Sequence, residues 1–136
     1  MDRRGRGRII YLREVELFEA LKAEYPDVTP LSATDRADGI THNAYIEIKC
    51  RRAHYDTLMI EKHKWDYLAD IRARTGARTL YISATPKGVY EWDLGAINPP
   101  EWLLKNLPDK TDFAGAKKID KWVGFLDIRH SRLLLV

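Results

Sequence analysis

The chain has 136 residues, 45% of them hydrophobic and 32% charged, which fits one ordinary domain and excludes a disordered chain. A single cysteine excludes an internal disulfide and a zinc ribbon, and no apolar run is long enough to span a membrane. The net charge of +3 does not by itself require a polyanionic partner. Because no apolar leader follows Met1, we expect a cytoplasmic protein without a membrane partner.

The first eight residues contain four arginines, with glycines at 5 and 7, and predict a flexible basic arm over residues 1–7. Two interpretations of this arm stay open: it contacts DNA phosphates, or it is a solubilising tail. The arginines are Arg3, Arg4, Arg6 and Arg8.

Residues 8–25 have the three-and-four spacing of apolar residues that predicts a helix, and Pro26 should end it. A short strand over 28–31 and a polar loop over 32–37 should follow. The predicted apolar stripe of the helix consists of Ile10, Leu17 and Leu21, with Val15 and Phe18 one turn over.

A hairpin is predicted next, from strands over 38–41 and 44–50 joined by a turn at 42–43. Side chains alternate between the two faces of a strand. One face should therefore carry Tyr45, Glu47 and Lys49, and the core face Ala44, Ile46 and Ile48.

The remaining elements suggest one mixed sheet. Residues 51–59 look irregular, and 60–75 predict a helix with Trp65, Leu68 and Ile71 as its apolar stripe, ended by Gly76. Strands are expected over 79–83, 89–94, 121–128 and 132–136, with a turn over 86–88 and a short helix over 101–106. The expected fold is α/β, in the mixed α+β sense: a single domain whose central mixed sheet of four or five strands is flanked by helices. Residues 8–94 would be the core, and 95–136 an extension packed on it.

Asp38, Glu47 and Lys49 are the residues that suggest chemistry. Asp38 opens the first strand of the hairpin, so its carboxylate and that of Glu47 could share one metal ion. Carboxylates are ligands for a hard cation such as Mg²⁺ or Mn²⁺, and the carbonyl of Ile48, which lies between Glu47 and Lys49, would be a further ligand. A lysine beside the ion can orient water or stabilise developing negative charge.

Asp38-Gly39-Ile40 followed by Tyr45-Ile46-Glu47-Ile48-Lys49 resembles the D-x(n)-E-x-K signature of the PD-(D/E)xK nuclease superfamily. The pattern over residues 8–94 is most similar to archaeal and phage Holliday-junction resolvases, although Ala37 stands where proline often precedes the aspartate. The resemblance implies a restriction-endonuclease-like fold and Mg²⁺- or Mn²⁺-dependent hydrolysis of DNA. It also implies a structure-selective enzyme acting on four-way junctions as a homodimer; a general DNA nuclease is the broader expectation.

The resemblance further implies an early glutamate in the metal site and a hydroxyl residue in the loop before the aspartate. Glu14 fits the first position, because it shares a helix face with the apolar stripe, whereas Glu16 and Glu19 lie about 200° and about 140° away. The hydroxyl residues are Ser32 and Thr34, and Asp35 is a second-ranked alternative to Asp38.

Basic residues around the hairpin and the second predicted helix are candidates for DNA contact, each weighed against ordinary solvent exposure. Two other classes of function stay open: a non-catalytic DNA-binding module, and a protein–protein module whose tryptophan-rich tail makes the contact. The basic candidates are Arg51, Arg52, Lys62 and Lys64. The three tryptophans that could belong either to the core or to an interface are Trp92, Trp102 and Trp122.

Overall fold

The structure, a computed structural model, describes residues 11–32, 34–108 and 117–135, so the predicted arm over 1–7 and Arg8 lie outside the described residues. It is a mixed α+β fold with two α-helices, α1 (Glu14–Leu21) and α2 (Lys62–Thr75), in the part described. The strands are β1 (Thr29–Pro30), β2 (Gly39–Ile40), β3 (Ala44–Cys50), β4 (Thr57–Glu61), β5 (Arg78–Thr85), β6 (Gly88–Asp93), β7 (Leu103–Pro108), β8 (Lys118–Asp127) and β9 (Arg132–Leu135).

The strands form two sheets, where the sequence predicted one of four or five strands. The large sheet has the order β1-β2-β3-β5-β6-β9, and the small sheet the order β4-β8-β7. Among the strands that the structure describes, only β3 and β5 pair in parallel, and the other pairs are antiparallel. Helix α2 provides the connection that a parallel pair requires, since it lies between β3 and β5 in the chain.

The two faces of the large sheet bury separate apolar clusters. On one face α1 packs against β3 and β5, and Leu17 and Ile46 are completely buried. On the other face α2 packs against β5, β6 and the small sheet, and Trp92 is completely buried. The predicted stripe of α2 is confirmed, as is its end at Gly76, which has the left-handed φ of 74°.

The first helix is shorter than the predicted 8–25. It begins after Arg13, whose backbone N–H donates to the Glu16 carboxylate, and turns follow Leu21. Leu17, Phe18 and Leu21 are buried as predicted, but Val15 is 69% exposed. Val15 lies in the first turn, about 200° around the helix from Leu17, and therefore points away from the sheet.

Two local predictions are wrong. Residues 57–61, of which 57–59 were taken as irregular, form β4, and residues 103–106 of the predicted helix 101–106 belong to β7. Both strands pair with β8, so their place in the small sheet depends on distant residues. The hairpin β2–β3, the hairpin β5–β6, and strands β8 and β9 are confirmed.

The region from 95 onward completes both sheets. Its strand β8 is the centre of the small sheet, and β9 pairs with β6 at the edge of the large one. In the described part of the chain, no helix has both the length and the apolar content needed to cross a membrane.

Candidate active site

Asp38 is held at the end of the β2–β3 ladder. Its backbone N–H donates to the Ile46 carbonyl at 3.0 Å, and its carboxylate Oδ2 accepts the backbone N–H of Ile48 at 2.8 Å. The carboxylate thus takes the place that a strand carbonyl would have. In an extended residue N–H and C=O project to the same side, so the Ile48 carbonyl also points to the side of β3 where Asp38 lies.

Glu47 is only 3% exposed and lies on the face of β3 opposite Ile46 and Ile48. Its Oε2 accepts a hydrogen bond from Lys64 Nζ, 2.5 Å away, on the first turns of α2. Burial and the negative charge of Asp38 raise the pKa of Glu47 to about 7, although Lys64 opposes the shift. Two carboxylates and an ammonium group therefore meet where the β3 strand passes α2.

Glu14 is the glutamate of α1 that reaches the same place. Burial, followed by the charge of Asp38, raises its pKa, whereas Lys64 lowers it. Glu16 instead pairs with Arg13 at 3.2 Å, and Glu19 pairs with Lys22 at 2.8 Å. Of these three glutamates only Glu14 lines the cavity described next.

One cavity of about 330 Å³ brings together the four predicted catalytic residues. Glu14 belongs to α1, and Asp38 immediately precedes β2. Glu47 and Lys49 belong to β3, where Ile48 lies between them. The opposite wall comes from the small sheet, which was not predicted. It contributes Met59, Glu61, Leu107, Pro108 and Lys121.

Sequence reasoning missed Glu61 and Lys121. Their side chains are 18% and 14% exposed, and Lys121 Nζ lies 3.4 Å from Glu61 Oε2. The alternation of Leu58 and Ile60 with Met59 and Glu61 is a signal for β4 that could have been used. Nothing local marks Lys121, because its position depends on the pairing of β8 with β4.

The arginines and lysines proposed for DNA contact differ in their surroundings. The Arg51 guanidinium is turned inward and donates to the Met59 carbonyl at 2.6 Å and to the Tyr81 hydroxyl at 3.1 Å. Its donors therefore tie β4 to the large sheet, and we leave it out of the proposed DNA-binding set.

Arg52 lies over the ring of Tyr11, 4.4 Å from the centroid. Lys62 pairs with Asp66 and lies 5.8 Å from the centre of the Trp102 ring, whereas Lys64 lines the cavity.

The loop before Asp38 is bonded to itself. The Ser32 hydroxyl lies 2.8 Å from that of Thr34 and donates to the Asp35 carboxylate at 2.9 Å. The Ser32 backbone N–H donates to the same carboxylate at 2.8 Å. None of these three residues lines the cavity. Asp35, the alternative to Asp38, therefore belongs to a local turn in which its carboxylate accepts hydrogen bonds from Ser32.

The tryptophans divide between core and surface. Trp92 is completely buried, Trp102 packs edge-on against Trp65 with ring centroids 5.8 Å apart, and Trp122 is 52% exposed.

Cys50 lines the cavity, and burial raises the pKa of its thiol to about 11, which favours the unreactive thiol form.

The donor set suits a hard cation by its chemistry. In the described ranges, no group of three or more His, Cys, Asp or Glu is arranged to hold an ion. The charge of Asp38 nevertheless helps to raise the pKa of both Glu14 and Glu47, and the Lys64 ammonium opposes both shifts. Mg²⁺ or Mn²⁺ would find oxygen ligands on these three side chains and on the Ile48 carbonyl.

Comparisons with protein-family models, with curated proteins and with solved structures find no match to this chain. The resemblance to PD-(D/E)xK nucleases accordingly rests on the residues from Asp38 to Lys49 and on the order of the elements around them.

Proposed function

We propose that the protein is a metal-dependent DNA endonuclease that hydrolyses phosphodiester bonds with Mg²⁺ or Mn²⁺. The observation that carries the proposal is the convergence of Asp38, Glu47 and Lys49 on one cavity, with Glu14 beside them. A carboxylate as buried as Glu47, next to a second carboxylate, costs folding free energy that a purely structural site would avoid. Such costs are typical of sites kept for function.

In this proposal Asp38 and Glu47 hold the ion, Glu14 completes or supports the site, and the Ile48 carbonyl is a further ligand. When bound, the ion would neutralise phosphate charge and lower the pKa of a coordinated water. The Ile48 N–H keeps Asp38 in place through the hydrogen bond to Oδ2. The rigid β3 strand sets the spacing of the Glu47 and Lys49 side chains.

The reaction adds water across one P–O bond. The water oxygen bonds to phosphorus and gives up a proton, the P–O bond to one sugar breaks, and the released sugar oxygen takes up a proton. Lys49 donates a hydrogen bond to the attacking water or to a phosphate oxygen, where negative charge develops. Lys64, now paired with Glu47, supplies a second positive charge on the same side.

The proposed fold is restriction-endonuclease-like, and the proposed substrate is DNA, either duplex or branched. The narrower form of the proposal is a junction-resolving enzyme that acts as a homodimer, because a four-way junction has two symmetric strands to cut. Arg52, Lys62 and Lys64 remain proposed DNA contacts.

A second candidate is a DNA-binding module that has this fold without catalysis. The Lys64–Glu47 ion pair favours it, because a lysine already neutralises the buried carboxylate without any ion. Such a module would bind DNA equally well in EDTA and would keep its affinity after Lys49→Ala.

The deciding experiment measures cleavage of labelled linear duplex, single strand and four-way junction in Mg²⁺, Mn²⁺ and EDTA. Glu47→Ala and Lys49→Ala test the site, and Glu19→Ala with Lys22→Ala are matched controls, since that pair is exposed on α1. Metal-dependent cutting that is lost only in the first two variants supports the enzyme. Binding in EDTA without cutting of any substrate rejects it and leaves the binding module.

A further inference from the structure

The small sheet presents a second charged wall to the proposed site. Residues that alternate along its strands face the cavity, among them Met59 and Glu61 on β4, Lys121 on β8 and Leu107 on β7. A ligand that fills the cavity would therefore touch both sheets.

Two lysines lie directly opposite each other on this face of the small sheet, Lys121 among the residues that line the cavity and Lys105 outside them. Lys105 of β7 and Lys121 of β8 are register partners, so their side chains leave the same face of the sheet. Like charges in this arrangement destabilise a strand pair. In the structure the two charges diverge: Lys121 pairs with Glu61, and Lys105 Nζ lies 5.9 Å from the centre of the Phe125 ring.

Near the lysine pair, the charge on this face has an excess of one sign. In the described strands of the small sheet, the acidic residues on the cavity face are Glu61 and Asp127, and Asp127 lies at the C-terminal end of β8, where its carboxylate pairs with Arg129 at 2.7 Å. Beside the lysine pair, Glu61 therefore stands against two lysines. The opposite face differs, since Asn106 there donates to Asp120 at 3.0 Å and Trp122 is exposed beside Leu104. Two register-paired lysines, one of which lines the cavity, favour an anionic ligand that lies between their side chains.

We propose that Lys105 and Lys121 bind the phosphate next to the one that is hydrolysed, so that the substrate strand runs between the two sheets. The inference rests on the proposed function, because it takes the ligand to be a phosphodiester backbone. Lys121 exchanges Glu61 for a phosphate oxygen when DNA binds, and Lys105 turns from the Phe125 ring to the same group. The large sheet then carries the chemistry, and the small sheet determines where the strand lies.

The test measures DNA affinity in EDTA as a function of salt concentration, with a labelled duplex and a labelled single strand. Each lost phosphate contact should reduce the slope of log K against log salt by about 0.9 for duplex or about 0.7 for single strand. Lys121→Gln and Lys105→Gln should each show this loss, and Lys121→Arg should restore most of the slope. Lys118→Gln is the matched control, because Lys118 belongs to the same strand but to the alternate face.

Thermal melting of every variant verifies that the fold is intact. An unchanged slope for the Lys121 and Lys105 variants, an equal loss in Lys118→Gln, or no DNA binding by the wild-type protein would overturn the inference. The proposed function is tested separately, by cleavage in Mg²⁺. Wild-type protein that binds with the expected slopes but does not cut would reject hydrolysis and leave the phosphate-binding wall in place.

Discussion

The large sheet buries two glutamates on opposite faces, and they differ in their surroundings. Glu47 of β3 is 3% exposed and Glu91 of β6 is 4% exposed. Glu91 lies on the α1 side and accepts hydrogen bonds from the Tyr25 hydroxyl and from Arg132 Nε, the latter at 3.2 Å. Arg132 also reaches Glu24, so this carboxylate belongs to a network that ties β9 to the segment after α1.

Glu47 has one cationic partner and a carboxylate neighbour, Asp38, whose charge raises its pKa. Donors surround Glu91, whereas Glu47 shares its surroundings with a like charge. The difference shows how two equally buried carboxylates can be separated into a structural one and a candidate for chemistry. Burial alone does not indicate function; burial beside an unfavourable charge does.

The largest expected effect is on cleavage. Glu47→Gln should reduce metal-dependent cutting below detection, because the amide cannot supply the anionic ligand. The melting temperature of the wild-type protein should rise with Mg²⁺ if the ion binds the folded state, and that of this variant should not. Glu91→Gln is the matched control, and its activity per folded molecule should equal that of the wild type. Equal loss in both variants would show that the comparison of the two glutamates is mistaken.

The next effect concerns Lys49, which lies on the same face as Glu47. Lys49→Gln should lower the cleavage rate by about 10²- to 10³-fold, the usual cost of removing one donor to developing charge. DNA affinity should stay close to the wild-type value, since the role proposed for Lys49 is confined to the reaction. Single-turnover cleavage and equilibrium binding separate the two quantities. A loss of affinity with an unchanged rate would assign Lys49 to binding.

The third effect is on stability. Glu91→Gln should lower the free energy of unfolding by about 3 kcal/mol, because it leaves Arg132 and Tyr25 without their charged partner in a partly buried network. Chemical denaturation at constant m-value measures this change. The same experiment on Glu24→Gln, whose contact with Arg132 is exposed, should give a change under about 1 kcal/mol. A loss as large in Glu24→Gln would locate the stability in the surface ion pair instead.

How much of this could be predicted from the sequence depends on the range of the interactions. The β2–β3 hairpin and the shared face of Glu47 and Lys49 follow from a short turn and strict alternation, and both are present. Helix α2 was predicted for the same reason, since its stripe and its Gly76 end are local features.

The small sheet could not be predicted in this way. β4 pairs with β8 across more than sixty positions, as in the pairing of Thr57 with Asp127, and no local pattern encodes that pairing. The cavity wall that carries Glu61 and Lys121 was therefore not predicted either. The hydrogen bonds of Arg51 could not be predicted for a related reason, because its partners, Met59 and Tyr81, belong to strands whose position relative to β3 was unknown.

The raised pKa of Glu47 should make the stability of the protein depend on pH. In the folded, metal-free protein the Glu47 carboxyl group holds its proton more tightly than in the unfolded chain. Its contribution to the free energy of unfolding is therefore present below about pH 4.5 and is lost as the pH rises through about 7. The expected loss is on the order of 3 kcal/mol as an upper bound. Glu47→Gln should lack this dependence and should be the more stable protein at about pH 8 in EDTA. Identical pH profiles for wild type and variant would show that the charged Glu47 carboxylate is well accommodated in the fold.

The smallest effect separates the glutamates of α1. Glu14→Gln should weaken Mg²⁺ binding by about tenfold, in the range expected for a residue that supports a metal site rather than dominating it. Glu19→Gln should leave Mg²⁺ affinity unchanged, because Glu19 pairs with Lys22 outside the cavity. Titration of the melting temperature with Mg²⁺ measures both variants. If Glu14→Gln binds the ion as well as wild type, the α1 helix serves only to cover the apolar face of the sheet, and Asp38 and Glu47 alone must hold the cation.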